Sequence, residues 1–516
     1  LDTCVPLEHV AVQLHPADDV AIVKHDLAAG RELICRDGRR IETRQAIPAG
    51  HKVALRPVET GQPVRRYGQV IGLATRPISP GEHVHTHNLG LGRLEHDYAF
   101  GVDVRPVDPL PEGERRTFMG YLRADGRVGT RNYVAVIAGV NCSADAAFKI
   151  AHHFTPERLR AFPNVDGVIA LVHQNGCSFR MGGDNYLLLQ RTLAGMATHP
   201  NIGGYLFVGL GCETNRSDDL VAAYCLKGLP TDPPLRLVIQ DVGGLRRTVA
   251  AGIAAVEAML PLVNRTKRTA QPLSALTLAL QCGGSDGWSG VTANPTVGLV
   301  ADEIVRHSGT VMLAEVTEIY GAEQLLTRRA ISREVGEKLL AQIRWWEAHA
   351  ARTGETIDNN PSLGNKKGGL TTIYEKSLGA IAKGGSTPLT GVYEYAERVT
   401  TSGLAVMNTP GNDWVALTGQ AAGGCTLALF TTGRGSVLGF KPMPVIKIST
   451  NTPLYERMQE DIDLDAGRIL DGVPMQQVAD ELLDLIVAVA SGQPSKSEAQ
   501  DVGELSFCPW HLGGVL

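Results

Sequence analysis

Five cysteines follow stretches that read as β-strands, and four of them sit in glycine-rich or polar turns: Cys142 in VNCS, Cys177 in HQNGCS, Cys212 in GLGCETN and Cys282 in QCGGSDGWSGVTANP. In an open α/β sheet, side chains at the carboxyl ends of the strands converge on one crevice. Thiolates gathered there suit a metal with soft ligands, iron above all, better than they suit disulfides. A single cysteine after a strand is more often a small buried hydrophobe. The repetition in similar turns is what points to a shared metal. Cys425 opens the apolar run CTLALF and reads as packing, while Cys4, Cys35, Cys225 and Cys508 have no comparable context.

Proton-transfer candidates stand near these turns. His173 closes GVIALVH four residues before Cys177, where an imidazole can ligate iron or move a proton near neutral pH, or can simply be a hydrogen-bonded strand-end histidine. Asp286 in CGGSDG and the pair Glu315 and Glu318 in LAEVTEIYG put carboxylates at two further strand ends. Carboxylates often cap helices, but Glu315 directly follows VMLA, where an ionised group needs a partner. In NNPSLGNKKGGLTT, Lys366 or Lys367 is either solvated or, brought into a cleft, a base or a carboxylate holder. Arg434 in TTGRG can grip a carboxylate with its planar fork, with a surface salt bridge as the plain alternative. EHVHTHN sets His83, His85 and His87 on one side of an extended segment, as a metal or substrate face or as a solvent-facing row on an edge strand.

The elements that must position these residues change character along the chain. Residues 9 to about 90 read as short strands separated by Ala49-Gly50, Thr60-Gly61 and Ser79-Pro80-Gly81 turns, a small all-β module. Residues 97–117 are rich in Pro and charge and read as an extended linker. From Gly120 strands alternate with helices, which argues for mostly parallel sheets with helices on both faces. Expected helices run over 144–154, 186–198, 245–263, 297–307, 331–351 and 475–489, with a polar boundary at 264–274.

Composition bounds the function. With 516 residues, 43% hydrophobic and 20% charged, the chain has material for about three or four domains. A net charge of −5 and a pI near 6.3 give no footprint for nucleic acid. No stretch approaches about 18 uninterrupted apolar residues, and the start has no signal-like run, so no membrane partner and a cytoplasmic location are expected. Nine cysteines, an odd number without dense spacing, fit free thiols or metal ligands in a reducing compartment. The absence of an initiator Met suggests that the numbering begins inside the gene product.

With these residues assembled, the chain resembles the altronate and galactarate dehydratase family from end to end. The resemblance is carried by QLHPADDVAI and GHKVAL, GYLRADGRVGTRN, HQNGCS, GLGCE, the long motif QCGGSDGWSGVTANP, EVTE, NPSLGNKKGG, PGND and TTGRG, in that order. EHVHTHN and NTPGNDWVALTGQAAGGC look more like the altronate enzymes. The resemblance implies a β-clip module of the SAF type over 1–92, a linker over 93–117, an α/β second domain associated with dimerisation over 118–267 and a Rossmann-like C-terminal domain with a mostly parallel sheet over 268–516. It also implies a homodimeric hydro-lyase that depends on iron, as Fe2+ or in an iron-sulfur cluster, and dehydrates a sugar acid, with altronate ahead of galactarate or another aldaric acid.

Dehydration takes the proton α to a carboxylate and expels the β-hydroxyl, so a Lewis acid must share the charge while a base and an acid act on the two sides. We expect Cys177, Cys212, Cys282 and Cys142 as iron ligands, Lys366, His173, Glu315 and Asp286 in catalysis, and Arg434, Asn294, His85 and His87 on the substrate. Two other classes compete. An NAD-dependent dehydrogenase is disfavoured because GLGCETN lacks the third Gly of the dinucleotide fingerprint. A carbohydrate-binding protein leaves the clustered thiols unexplained.

Overall fold

Gly50, Gly61 and Gly81, at the expected turns, have φ of 78°, 81° and 79°, a conformation that a side chain disfavours. They close the hairpins of the first part of the molecule. A computed structural model describes residues 4–92 and 96–513, and within 4–92 it contains ten strands of two to six residues. These form three small sheets, one of them running Ala11–Val12, Val20–Val23, Lys52–Ala54, His83–Val84 with every pair antiparallel. Val23 and Val53 of this sheet share a buried apolar core with Leu33 of a second sheet and with Ile47 and Leu55. The start of the chain is thus mostly β, as expected.

The Pro-rich segment that follows is tied down along its course. Of the expected linker, 93–95 lie outside the described residues. Beyond them Gly101 N–H donates to Thr327 O, Asp103 N–H to Arg328 O, and Leu110 N–H to Arg306 O. Strand Thr117–Leu122 then pairs antiparallel with Thr269–Pro272, so the chain enters and leaves the next unit through one sheet.

Between those strands lies a four-stranded parallel sheet ordered Gly167–Leu171, Tyr133–Ala138, Ile202–Gly209, Leu235–Val238. Tyr133–Ala138 is buried at every residue, because helices cover both faces and a strand so covered reads as a continuous apolar run. Helices Ala144–Ala151 and Leu245–Val263 pack on each other, and helix Asp184–Ala197 packs against helix Asp413–Ala422 of the last unit.

That last unit is built on seven parallel strands ordered Leu389–Tyr393, Gly403–Met407, Thr310–Leu313, Thr277–Cys282, Leu427–Thr432, Val445–Ser449, Leu464–Asp465. The chain begins with Thr277–Cys282, adds Thr310–Leu313 on one side, places Leu389–Tyr393 at that edge with Gly403–Met407 inserted between, and returns to build on the other side from Leu427–Thr432. The crevice beyond the carboxyl ends of those two strands is where ligands bind in open α/β sheets. Helices at 245–263 and 475–490 have the expected starts. Helices Ile373–Ile381 and Asp413–Ala422 and strand Leu389–Tyr393 were not expected; Ile373–Ile381 is buried at every residue and Asp413–Ala422 from Ala416 onward, so neither offers a regular polar stripe for periodicity to detect.

The β module closes on this crevice through an unusually tight contact. A Cβ on Gly287 would lie 1.9 Å from Gly50 O, so the two backbones touch where no side chain fits. Beside it, Glu375 receives Lys52 Nζ at 2.9 Å, Arg66 at 2.6 Å, and Thr371 N–H and hydroxyl at 2.9 and 2.6 Å. Lys52 and Arg66 also donate to Gly369 O and Gly287 O, each at 2.6 Å. All three charged side chains are buried.

Candidate active site

Strand Thr277–Cys282 ends on Cys282, strand Thr310–Leu313 runs into Glu315 and Glu318, and the two carboxylates come together with the thiol. Cys282 Sγ lies 3.7 Å from Glu318 Oε2 and receives Lys383 Nζ at 2.7 Å. Glu318 Oε1 accepts from Lys376 Nζ and Asn360 Nδ2, both at 2.7 Å, and Lys376 also donates to Asn360 Oδ1 at 2.8 Å. Glu315 has φ 59° and ψ 60°, a strained setting for a residue with a Cβ, held by its N–H donating to Thr409 Oγ1 at 2.7 Å. Its Oε1 is buried without a hydrogen-bond partner.

The electrostatics separate the two glutamates. Burial, with Glu318 and Asp413 adding repulsion, holds the Glu315 carboxyl well above the usual range. Burial acts on Glu318 too, but the Lys376 ammonium overrides it and brings the carboxyl below its usual range. Burial pushes the Cys282 thiol up to about 11 against the pull of Lys383, and Asp413 up to about 6. Two carboxyls driven apart in this way have the separated proton affinities that an acid–base pair requires. Dry ion networks contribute little net stability, and strongly perturbed groups cluster where chemistry is done.

The crevice at the strand reversal lies next to this array. Asp286 is buried, accepting from Thr450 Oγ1 at 2.9 Å, Ser289 Oγ at 3.1 Å and Trp288 N–H at 3.0 Å. It organises the loop after Cys282, and it packs so closely that a Cβ on Gly433 would sit 2.1 Å from its Cγ. Asn294 is also spent on structure, donating to Gly379 O at 2.9 Å and accepting from Thr431 Oγ1 at 2.6 Å. Arg434 is exposed and Lys366 half-buried; Arg434 packs against Gly368, where a Cβ would meet Asp286 Cβ at 2.9 Å and Arg434 Cδ at 3.2 Å. The void bounded by Tyr67, Cys282, Asp286, Asn294 and Lys376 measures about 10 Å³, room for one water. A larger cavity of about 420 Å³, lined by Arg191, Lys338, Trp345, Glu394 and Trp510, lies elsewhere and holds none of the acid–base array.

The histidines of the β module face the same crevice. His51 Nδ1 is 3.0 Å from His83 Nε2, and His51 Nε2 is 3.2 Å from Lys367 O. The His83 and His85 rings stack at 5.4 Å, and His87, more exposed, tilts on His83 at 5.4 Å. Burial pushes His83 down to about 3 and His85 to about 4. His83, His85 and His87 share a side as expected, although only His83–Val84 is strand and the rest is turn.

The four cysteines are divided. Cys142, Cys177 and Cys212 are exposed on loops after three neighbouring strands of the four-stranded sheet, while Cys282 is buried at the end of a strand of the seven-stranded one. Asn141 N–H donates to Asn175 O and Thr214 N–H to Cys177 O, linking the three loops. Among the described residues, the sets of three metal-ligating side chains with atoms within 4.8 Å of one another are His51, His83, His85 and Cys282, Glu315, Glu318, and neither contains two of these cysteines. His173 is buried with both ring nitrogens engaged, Nε2 with Ala138 O at 3.1 Å and Nδ1 with Asn175 N–H at 3.2 Å. It therefore buttresses the loop before Cys177 and turns no free nitrogen to a ligand. Sequence reasoning passed over Lys376, Lys383, Asn360 and His51. The detectable signal was two lysines seven residues apart in the otherwise apolar YEKSLGAIAKGG, which puts both on one helix face.

A parallel α/β core with an acid–base array at its strand ends, closed by a β module, defines an enzyme. Family profiles match in order: the altronate/galactarate dehydratase SAF domain over 9–91, the second domain of D-galactarate dehydratase/altronate hydrolase over 120–264, and the C-terminal D-galactarate/altronate dehydratase domain over 273–515. The chain belongs to the altronate/galactarate dehydratase family, and its class is that of the hydro-lyases. It is 37% identical to altronate dehydratase of Escherichia coli (strain K12) over 497 residues, 96% of this chain and 98% of the relative. Altronate dehydratase of Bacillus subtilis (strain 168) is 36% identical over 500 residues, with 96% and 98% covered. Galactarate dehydratase (L-threo-forming) of E. coli is 37% identical over 489 residues, 93% of each chain. No helix among the described residues is long and apolar enough to cross a membrane.

Proposed function

We propose that the chain dehydrates a sugar acid, altronate foremost, by removing the proton α to the carboxylate and expelling the β-hydroxyl, the resulting enol tautomerising to a 2-keto-3-deoxy acid. The observation that carries this reading is the divided glutamate pair. Glu315, held protonated, supplies the proton that the departing hydroxyl needs, and Lys366 at the crevice edge takes the α-proton. Glu318, kept ionised by Lys376, holds the array's charge balance through the cycle. Asp286 shapes the loop that presents these groups, and Arg434 takes the carboxylate, with His85 and His87 approaching from the β module. Because the void beside Cys282 admits only water, the loops around 283–290 and 364–370 must part for a six-carbon acid to reach Glu315.

Iron, as Fe2+ or in a cluster, belongs to this reading. Cys142, Cys177 and Cys212, exposed on linked loops, fit a thiolate-held centre; Cys282, facing the Lys383 ammonium, fits it less well. When bound, iron would supply Lewis-acid stabilisation of the enediolate. We read the C-terminal sheet as Rossmann-like in kind, since its order reverses beside Thr277–Cys282. The three-part division at 92, 117 and 267, and a cytoplasmic homodimer formed through the second part, go with the same reading.

The test is to incubate iron-reconstituted protein with altronate, galactarate and glucarate and to assay 2-keto-3-deoxy products. Altronate is expected to be turned over best; product from none of them removes the proposal. Iron and acid-labile sulfide measured on anaerobically purified protein are expected together, and both should fall in Cys177→Ser. Iron without sulfide would eliminate the cluster version. Arg434→Met is expected to raise KM about 10- to 100-fold, the loss of one charged hydrogen-bonding group at about 1.5–3 kcal/mol, with the melting temperature unchanged because Arg434 is exposed.

A further inference from the structure

We infer that His51, His83 and His85 form a binding site for a divalent first-row transition-metal ion, separate from the cysteines and from the Cys282 array, at the seam between the β module and the 366–369 loop. The three side chains offer ligand atoms that all lie within 4.8 Å of one another. His51 Nδ1 and His83 Nε2 are 3.0 Å apart, the separation that two nitrogens about 2.1 Å from one ion adopt when they meet near a right angle. His85 Nδ1 is buried and has no hydrogen-bond partner, a cost that an ion would remove.

His51 is also oriented as a metal ligand is. Its Nε2 sits 3.2 Å from Lys367 O, so that nitrogen carries the proton and donates, leaving the Nδ1 lone pair directed at the cluster. Ligating histidines commonly give their second N–H to a backbone carbonyl in this way. The contrast with the other three-residue set is instructive. Cys282 and Glu318 each have a lysine ammonium at 2.7 Å, which opposes a cation, whereas the hydrogen-bonding contacts of the histidine rings are an imidazole and a carbonyl, and the nearby Lys52 ammonium is itself paired with Glu375 at 2.9 Å.

Three imidazoles select Zn, Fe, Ni or Cu over Mg or Ca, and a three-histidine set leaves positions open for water or substrate. The 366–369 loop that the set touches also carries Lys366 and abuts Arg434. An ion there would face a carboxylate held by Arg434. That role rests on the sugar-acid reading; the binding of the ion does not.

The experiment titrates Co2+ alone into the full-length protein after chelator treatment, following the d–d absorption bands and the bound stoichiometry, in the wild type, His83→Gln, His85→Asn and Cys177→Ser. Expected are one equivalent with imidazole-type bands in the wild type and in Cys177→Ser, and at least a tenfold weaker affinity in both histidine variants. Metal-free melting curves show whether those variants fold, and His85→Asn, which breaks no hydrogen bond of Nδ1, keeps the test valid if His83→Gln does not. Failure of the wild type to bind, or unchanged binding in a folded histidine variant, overturns the site. Co2+ bound through the histidines with no sugar acid turned over would instead leave the site standing and remove the sugar-acid reading.

Discussion

Lys383→Met is expected to lower kcat about 100- to 10,000-fold, the range that positioned acid–base groups contribute, while the protein stays folded. The fold should survive because the substitution strands no charge: the thiol of Cys282 is held neutral by burial, Glu318 keeps Lys376 and Asn360, and Met is close to Lys in volume. The activity should not survive, because the buried Lys383 ammonium is one of the groups that restrain the rise in the Glu315 pKa. Its removal drives Glu315 higher still. If Glu315 must be protonated to act, the alkaline limb of the kcat–pH profile then moves to higher pH, a shift that a purely structural lysine would not produce. A kcat within threefold of the wild type, with an unmoved profile, would show that the array serves packing alone.

Glu375→Gln is expected to be the most destabilising single change at the seam. The carboxylate compensates two buried cations at once, Lys52 at 2.9 Å and Arg66 at 2.6 Å, and breaking such a set by removing one partner costs about 3–5 kcal/mol. The titration gives a second route to the same figure. Burial would raise Glu375, but Lys52 and Arg66 overcome it and carry the group from 4.5 down to about 2, a difference worth about 3 kcal/mol. The sign follows from the depressed folded value: the contribution is present above the unfolded pKa and is lost as the pH falls from about 4.5 through about 2. Acidification of the wild type should therefore release the β module from the α/β core within that window, seen as protease sensitivity near 92–117 before the core melts, and Glu375→Gln should show that sensitivity already at neutral pH. Equal protease resistance of the two proteins at pH 7 would exclude the triad as the clasp.

Much of the architecture was legible along the chain. Short strands separated by Gly turns announced the β module, and strands alternating with helices announced parallel sheets, whose strand LALFTT is buried throughout. The helices at 245–263 and 475–490 were legible within that alternation. Ile373–Ile381 was not, since all nine of its residues, Lys376 included, are buried, and Lys376 and the following Lys383 were passed over. Glu315 was legible for the opposite reason: a carboxylate directly after VMLA had to be either paired or perturbed.

The sequence by itself determined the family, the order of its parts, and the kinds of group available for chemistry, because residue type, spacing and turn composition are local properties. Which groups meet was decided only by the tertiary structure. Four cysteines in similar turns looked equivalent, yet three leave one sheet toward solvent and Cys282 leaves another into a buried array with Lys383. His51 and His83, separated by 32 positions, were brought to 3.0 Å by strand pairing. Proximity between distant residues, and the burial that shifts their proton affinities, arise from packing of whole elements, and no window along the chain contains them.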